Sequence, residues 1–536
     1  MLCPTPRLTL PFGLLAVALA FASLTGGCRS PQQDGERITV QVLADGQTQE
    51  IEVPKGSTVA QALEVAGLQM SNLDRSEPPT YAVLSTGDQI HLIRVREEFT
   101  TEQVIIPFEQ QIVRNESLPE GERRLIQPGL NGQQERTYRI LLEDGVEVSR
   151  SIVKTVILQE AMPEIIMVGV QSAYAPLIIP GKLAYLAGGN AWLMEGTTAN
   201  RRLLVNFGDL DGRIFSISPN GEWLLFSRKS KKAADEEINS LWVVSLTRAN
   251  MAPFALGVKN VVHSAVWTPS SANVAYTTVE PRSTAPGWQA NNDIYKVVIG
   301  PGWAGTPQRV LEANSGGVYG WWGMKLYYSP EGLLTYARAD QVGLVDQQEG
   351  ELKPLLDITP LQTHSDWAWV PGLVWGADSQ TLYVVTHAPP PTLVNEEESP
   401  YFDLIAVSVA NASVMRLIQQ TGMFAYPSVS PIRQRGKEKS YQVAFLRAIF
   451  PEQSETSRYR VVVMDRDGSN QRLLFPPADA PGLEPQTPVW APLPLEGQSG
   501  DFLALIYQGN LWLVDSGSGQ AFQITGDGLI SLIDWK

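Results

Sequence analysis

The chain has 536 residues, of which 43% are hydrophobic and 18% charged. That composition suits folded domains, and the length exceeds what one core serves, so two to four domains are expected. A net charge of -15 offers no basic face to neutralise phosphates, which excludes nucleic acid as a partner. Two cysteines, Cys3 and Cys28, and four scattered histidines cannot build a disulfide framework or a Cys-based metal site, so neither a metal nor a cofactor is expected.

Residues 1–28 read as an export signal. Arg7 gives a positive start, Leu8 to Leu24 is uncharged and apolar, and small residues follow. Leu24-Thr25-Gly26-Gly27-Cys28 resembles the bacterial lipobox, departing from it at Thr25, where Leu is usual. The resemblance implies a lipidated Cys28 as the mature N-terminus, with the membrane as partner through that anchor. An ordinary cleaved signal or a retained anchor helix is the alternative. Every one of these readings places the body outside the cytoplasm. Residues 29–36 form a short polar tether.

Residues 37–95 alternate as strands (Ile38-Thr-Val-Gln-Val, then Gln49-Glu-Ile-Glu-Val) around an Asp45-Gly46 turn. Thr58 to Ala66 has a helical face of Val59, Leu63 and Ala66, with Ser57 or Thr58 to cap it and Gly67 to end it. Strands are expected at 81–84 and 89–95. Hairpin, helix, strands is the order of a β-grasp. Val53 to Val59 and Leu84 to Ile90 resemble the ubiquitin-like domain found beside G5 domains in resuscitation-promoting-factor proteins.

Residues 96–170 carry long alternating strands, 137–142 and 147–158, with glycine turns and little apolar content, enough for a thin sheet. Five glycines, Gly121, Gly129, Gly132, Gly145 and Gly169, together with Ile105-Ile-Pro107-Phe108-Glu109 and Thr137-Tyr138-Arg139, resemble the G5 domain. The resemblance implies a cell-surface module that adheres or binds N-acetylglucosamine-type glycan. Phe108 and Tyr138 are the residues placed to stack on a sugar; packing within the sheet is the alternative for both. Residues 171–180 read as a linker.

From 181 to 536 a unit recurs every 40 to 55 residues or so, the spacing of propeller blades. A strand leads into a turn such as Ser218-Pro-Asn-Gly221 or Ser329-Pro-Glu-Gly332, and then three more strands follow. The turns and strands resemble the WD40-like repeat of TolB-type propellers. The last residues, Leu529 to Lys536, form a lone strand, and residues 182–206 lack one. The tail is therefore expected to pair beside Tyr185 and close a ring of about seven blades. The fold class is mainly β: a small β-grasp domain, an extended G5-like sheet domain, and a roughly seven-bladed β-propeller closed by the C-terminal strand. The long loops 281–292, 387–400 and 449–457 should crowd one rim.

No Gly-x-Ser-x-Gly elbow, phosphate loop or His-Glu-x-x-His motif occurs, and no catalytic residue is assigned. Asp209-Leu-Asp211-Gly212 and Asp465-Arg-Asp467-Gly468 lack the spaced ligands of a calcium loop and read as turns. The tryptophans at 223, 242, 267, 375, 490, 512 and 535 recur in the repeat and read as core. Trp288, Trp303, Trp321, Trp322 and Trp369 lie off it and are the surface-ligand candidates. The function expected is non-enzymatic: a cell-surface lipoprotein binding cell-wall or extracellular glycan, with the propeller presented to a protein or polysaccharide. The alternatives are a polysaccharide lyase or hydrolase using axial carboxylates, and a TolB-like scaffold for an envelope protein.

Overall fold

The computed structural model describes residues 36–115, 118, 121–169, 174–389, 395–435, 438–498 and 500–536. Cys28 and the segment 1–28 expected to be an export signal lie outside the described residues. The described residues fold into two compact units, nearly all strand: one within residues 36–107 and 131–161, the other within residues 108–130 and 162–536. The segment 96–170 is thus shared between them.

In the first unit, strands Gln47–Pro54, Arg37–Ala44, Gln89–Ile93 and Arg75–Glu77 form one sheet in that order. The first two pair as a hairpin, whereas Arg37–Ala44 and Gln89–Ile93 run parallel. The helix Val59–Val65 covers the sheet and buries Val59, Ala62 and Leu63 against Val40, Val53, Ile90 and Leu92. Thr58 caps it: Gln61 N–H donates to Thr58 Oγ1, and Thr58 N–H donates back to Gln61 Oε1. The expected strand at 81–84 does not form. The Ala82 amide instead closes a turn onto the Pro79 carbonyl, the Leu84 amide donates to the Ser57 carbonyl, and Val83 makes only an isolated bridge to Thr58. Arg94 donates to Asp45 and Asp74, and Asp74 also accepts from the Ser71 and Val95 amides; these bonds hold its pKa at about 2 against the opposing effect of burial. A second sheet of this unit joins Val95–Ile106, Gly132–Glu143 and Val146–Gln159, long antiparallel strands one layer thick.

In the second unit, Gln110–Asn115, Glu164–Gly169 and Arg123–Gln127 form a three-stranded sheet. Its Val113, Ile165 and Met167, with Leu118, share a core with Leu183, Trp192, Phe502 and Trp535. The downstream strands make seven main sheets. Their first strands are Leu210–Ile217, Ala265–Trp267, Lys325–Tyr328, Leu373–Trp375, Ser428–Val429, Val489–Trp490 and, for the seventh, Ile530–Trp535 at the chain's end. That last strand pairs antiparallel with Ile178–Ala187, Tyr185 facing Ile533 and Leu183 facing Trp535. The expected pairing of the two segments is therefore present. Trp535 is 1% exposed and its indole N–H donates to the Pro180 carbonyl at 2.7 Å.

Contacts between first strands pass from sheet to sheet, from Ala265–Trp267 onward to Val489–Trp490, Ile530–Trp535 and Leu210–Ile217. The Trp267 indole, which donates to the Ser216 carbonyl, joins the remaining pair. The repeated turn has a common mechanism. Ser218 Oγ accepts the Trp223 amide and its carbonyl accepts the Gly221 amide; Ser329 does the same for Leu333 and Gly332. The repeat tryptophans fall into three classes, of which Trp223, buried at the start of a second strand, is one. Trp267, Trp375, Trp490 and Trp535 end first strands and are buried, whereas Trp242 and Trp512 sit partly buried in third strands. Asp209-Leu-Asp211-Gly212 is not a turn. It opens an irregular first strand, where Asp209 pairs with Arg228 and Asp211 accepts from Ser227 and Asn239.

Candidate functional site

Each sheet alternates direction, so the connection between strands two and three emerges at the same end as the connection to the next sheet. At that end of the second unit is a cavity of about 270 Å³. Four connections between successive sheets and one hairpin wall it. Val262 and His263 come from the connection before Ala265–Trp267, and Trp322 from the one before Lys325–Tyr328, whose first residue Lys325 also lines the cavity. Trp367 and Trp369 precede Leu373, Phe424 and Tyr426 precede Ser428, and Trp288 stands on the hairpin Val279–Pro281/Trp288–Ala290.

Local chemistry fixes these groups. The turn Gly320–Trp322 is held by Asn292, whose amide donates to the Gly320 carbonyl at 2.8 Å, while Asn314 donates to the Asn292 carbonyl at 2.9 Å. Trp322 meets Trp288 edge to face, ring centroids 6.1 Å apart, and Trp288 meets His263 in the same way at 4.5 Å. Gly323, at φ 74, lets the backbone pass His263; a Cβ there would lie 2.6 Å from the imidazole. Phe424 stacks on Tyr426, and Tyr426 holds φ at 38, a left-handed conformation costly for a bulky residue.

Lys325 opens its first strand and carries its ammonium 5.9 Å from the Tyr426 ring centroid. Among the described residues it has no hydrogen-bond or ion-pair partner. Burial pushes its pKa below the ordinary lysine value. Burial, reinforced by Lys325 and Arg213, pushes His263 down to about 4, so its imidazole is neutral at physiological pH. A shallower depression of about 480 Å³ continues from the cavity across Trp322 and Trp367 to Thr363, His364 and Glu397.

Three of the five expected tryptophans, Trp288, Trp322 and Trp369, line the cavity. Trp369 is 2% exposed and belongs to the core rather than the surface: it packs on Phe402, donates its indole N–H to the Met423 carbonyl, and offers the cavity only part of its wall. Trp303 is 54% exposed on a hairpin tip, lying over Gly300, and Trp321 is 38% exposed; neither lines the cavity. Lys325, His263, Trp367, Phe424 and Tyr426 were not anticipated. Of the long loops expected to carry binding, only Pro286 and Trp288 line this cavity. The unusual run Gly320-Trp-Trp-Gly-Met-Lys325 was the available signal.

Phe108 lies in the second unit, 37% exposed, with its ring against the bare Cα of Gly129. Tyr138 lies in the first unit on Gly132–Glu143, half-buried, with the Arg150 guanidinium 5.0 Å from its ring centroid.

A family model described as the G5 domain matches residues 97–171. Among solved structures, the IgA1 protease G5 domain is 30% identical, covering 15% of this chain and 94% of that one, with a TM-score of 0.12. The G5 domain of HP0197 is 21% identical, covering 14% of this chain and 99% of that one, TM-score 0.14. A prolyl endopeptidase matches 65% of this chain over 50% of its own length at 13% identity, TM-score 0.40. Residues 97–171 of this chain are a G5 domain.

Proposed function

We propose that this protein is a non-enzymatic cell-surface lipoprotein, anchored through Cys28, that binds cell-wall or extracellular glycan of the N-acetylglucosamine type. The G5 domain is the observation that carries this reading. Phe108 and Tyr138 are its proposed sugar contacts. Residues 37–95 are read as a ubiquitin-like β-grasp, supported by the hairpin, the helix and the parallel central pair. The seven sheets of the second unit are read as a TolB-like, WD40-like propeller that presents a face to protein or polysaccharide, supported by the neighbouring first strands and the pairing of Ile178–Ala187 with Ile530–Trp535.

The test is retention of the full chain on peptidoglycan, chitin or N-acetylglucosamine resin, with elution by the free sugar. Tyr138→Ala and Phe108→Ala should each weaken it. A protein that flows through unretained removes the glycan part. Release of reducing or unsaturated ends from a polysaccharide panel would overturn the non-enzymatic part. Capture of a discrete envelope protein from membranes, with no glycan retention, would favour the scaffold reading.

A further inference from the structure

We infer that the aromatic cavity of the second unit is a binding site for one sugar residue bearing a single anionic group, a carboxylate or a phosphate. The site lies within residues 262–426 and does not depend on how the G5 domain works.

The wall chemistry selects the ligand. Trp288, Trp322 and Tyr426 offer apolar ring faces and edges, the surfaces on which the C–H faces of a pyranose pack while its hydroxyls point outward. Lys325 supplies a cation that the described residues leave unpaired. Lys325 is half-buried against the aromatic wall, where water is partly excluded, so an anion on the ligand would gain a charge-assisted contact there. The only carboxylate in the wall is Asp366, which is exposed and makes no ion pair with Lys325 among the described residues. A purely apolar ligand would seal in an unpaired charge. A cationic ligand would suit the aromatic rings but meet Lys325. His263, neutral and packed edge-on to Trp288, adds no second charge.

Size narrows the choice further. About 270 Å³ is near the lower end of small-molecule sites, which run from about 300 to 1,000 Å³. That is room for one ring and its substituent rather than a nucleotide. The adjoining depression past Trp322 and Trp367 gives the next residue of a chain a path outward, so the site fits the end of a glycan. The left-handed backbone of Tyr426 is local strain in the cavity wall, where binding sites commonly hold it.

The experiment uses the full chain, with binding read by tryptophan fluorescence and calorimetry. The probes are glucuronate and N-acetylmuramate for the carboxylate arm, and glucose 6-phosphate and N-acetylglucosamine 6-phosphate for the phosphate arm. Glucose and N-acetylglucosamine are the neutral counterparts. At least one anionic probe should bind about tenfold or more tightly than its neutral counterpart, and the two arms identify the group. Lys325→Met, which removes the charge but keeps the bulk, should lose that preference while melting cooperatively. Lys325→Arg should keep part of it, and Trp288→Ala should weaken anionic and neutral sugars alike. Equal binding of neutral and anionic sugars, unchanged affinity in Lys325→Met, or no saturation by any probe at about 10 mM would each overturn the inference. Retention on N-acetylglucosamine resin through the G5 domain should be the same in Lys325→Met, so failure of one reading is distinguishable from failure of the other.

Discussion

Removing the last strand should unfold the second unit, and the effect can be sized from Trp535. Its indole is 1% exposed in the core shared by Leu183, Trp192, Phe502 and Met167. Truncating a buried Trp to Ala costs about 3–5 kcal/mol through lost contacts and the cavity left behind. The indole's hydrogen bond to the Pro180 carbonyl at 2.7 Å adds about 1 kcal/mol, because that carbonyl loses its partner. Trp535→Ala should therefore cost about 4–6 kcal/mol. For a unit of roughly 400 residues the unfolding entropy is about 0.8 kcal/mol/K, so melting should fall by about 5–7 °C. Trp321→Ala, at an exposed turn, is the control and should stay within about 0.5 kcal/mol. Deleting residues 529–536 also removes the ladder to Leu183–Ala187 and leaves the Ile217 amide without Asp534, its acceptor at 2.6 Å. Those losses together rival the 5–15 kcal/mol by which a typical domain is stable. The shortened chain should be largely unfolded, and a synthetic peptide of residues 529–536 added in trans should restore the melting transition. A shortened chain that melts like the full one, or a Trp535→Ala shift no larger than that of Trp321→Ala, would refute this account of the pairing between Ile178–Ala187 and Ile530–Trp535.

Further outcomes follow from single groups. His263 is held at about 4, against 6.5 in an unfolded chain, so the folded state binds fewer protons. Its contribution is fully present above pH 6.5 and is lost as pH falls toward 4, by about 3 kcal/mol in all. Denaturant titrations at several pH values should show that loss, and His263→Phe should flatten the profile; an unchanged slope would refute the assignment. A Cβ on Gly129 would lie 2.3 Å from the Phe108 ring, so Gly129→Ala should displace that ring and cost about 1–3 kcal/mol by thermal unfolding. Cys28→Ser should abolish incorporation of a labelled fatty acid and release the protein from membranes; continued labelling would remove the anchor reading.

Much of the organisation is written locally in the chain. Ser-Pro-Asn-Gly and its variants set hairpins because a serine hydroxyl and carbonyl satisfy the same amides each time. The capping of Val59–Val65 by Thr58, and the pairing of Leu183 with Trp535, could likewise be read from spacing and from a strand missing at one end of a repeat. Alternation misled at 81–84, where the Ala82 amide is taken by a turn onto the Pro79 carbonyl and the Leu84 amide by the Ser57 carbonyl, so no ladder forms. Only the tertiary structure divided the segment 96–170 between two units, because the burial of Val113, Ile165 and Met167 depends on partners hundreds of residues away. Only it placed Trp369 in the core and gathered His263, Trp288, Lys325 and Tyr426 around one cavity. His263 and Tyr426 lie on connections, Trp288 on a short hairpin and Lys325 at the first residue of a strand, positions that no shared local period links. Their convergence is set by how the sheets stack, which depends on the packing of every sheet between them rather than on any one stretch of sequence.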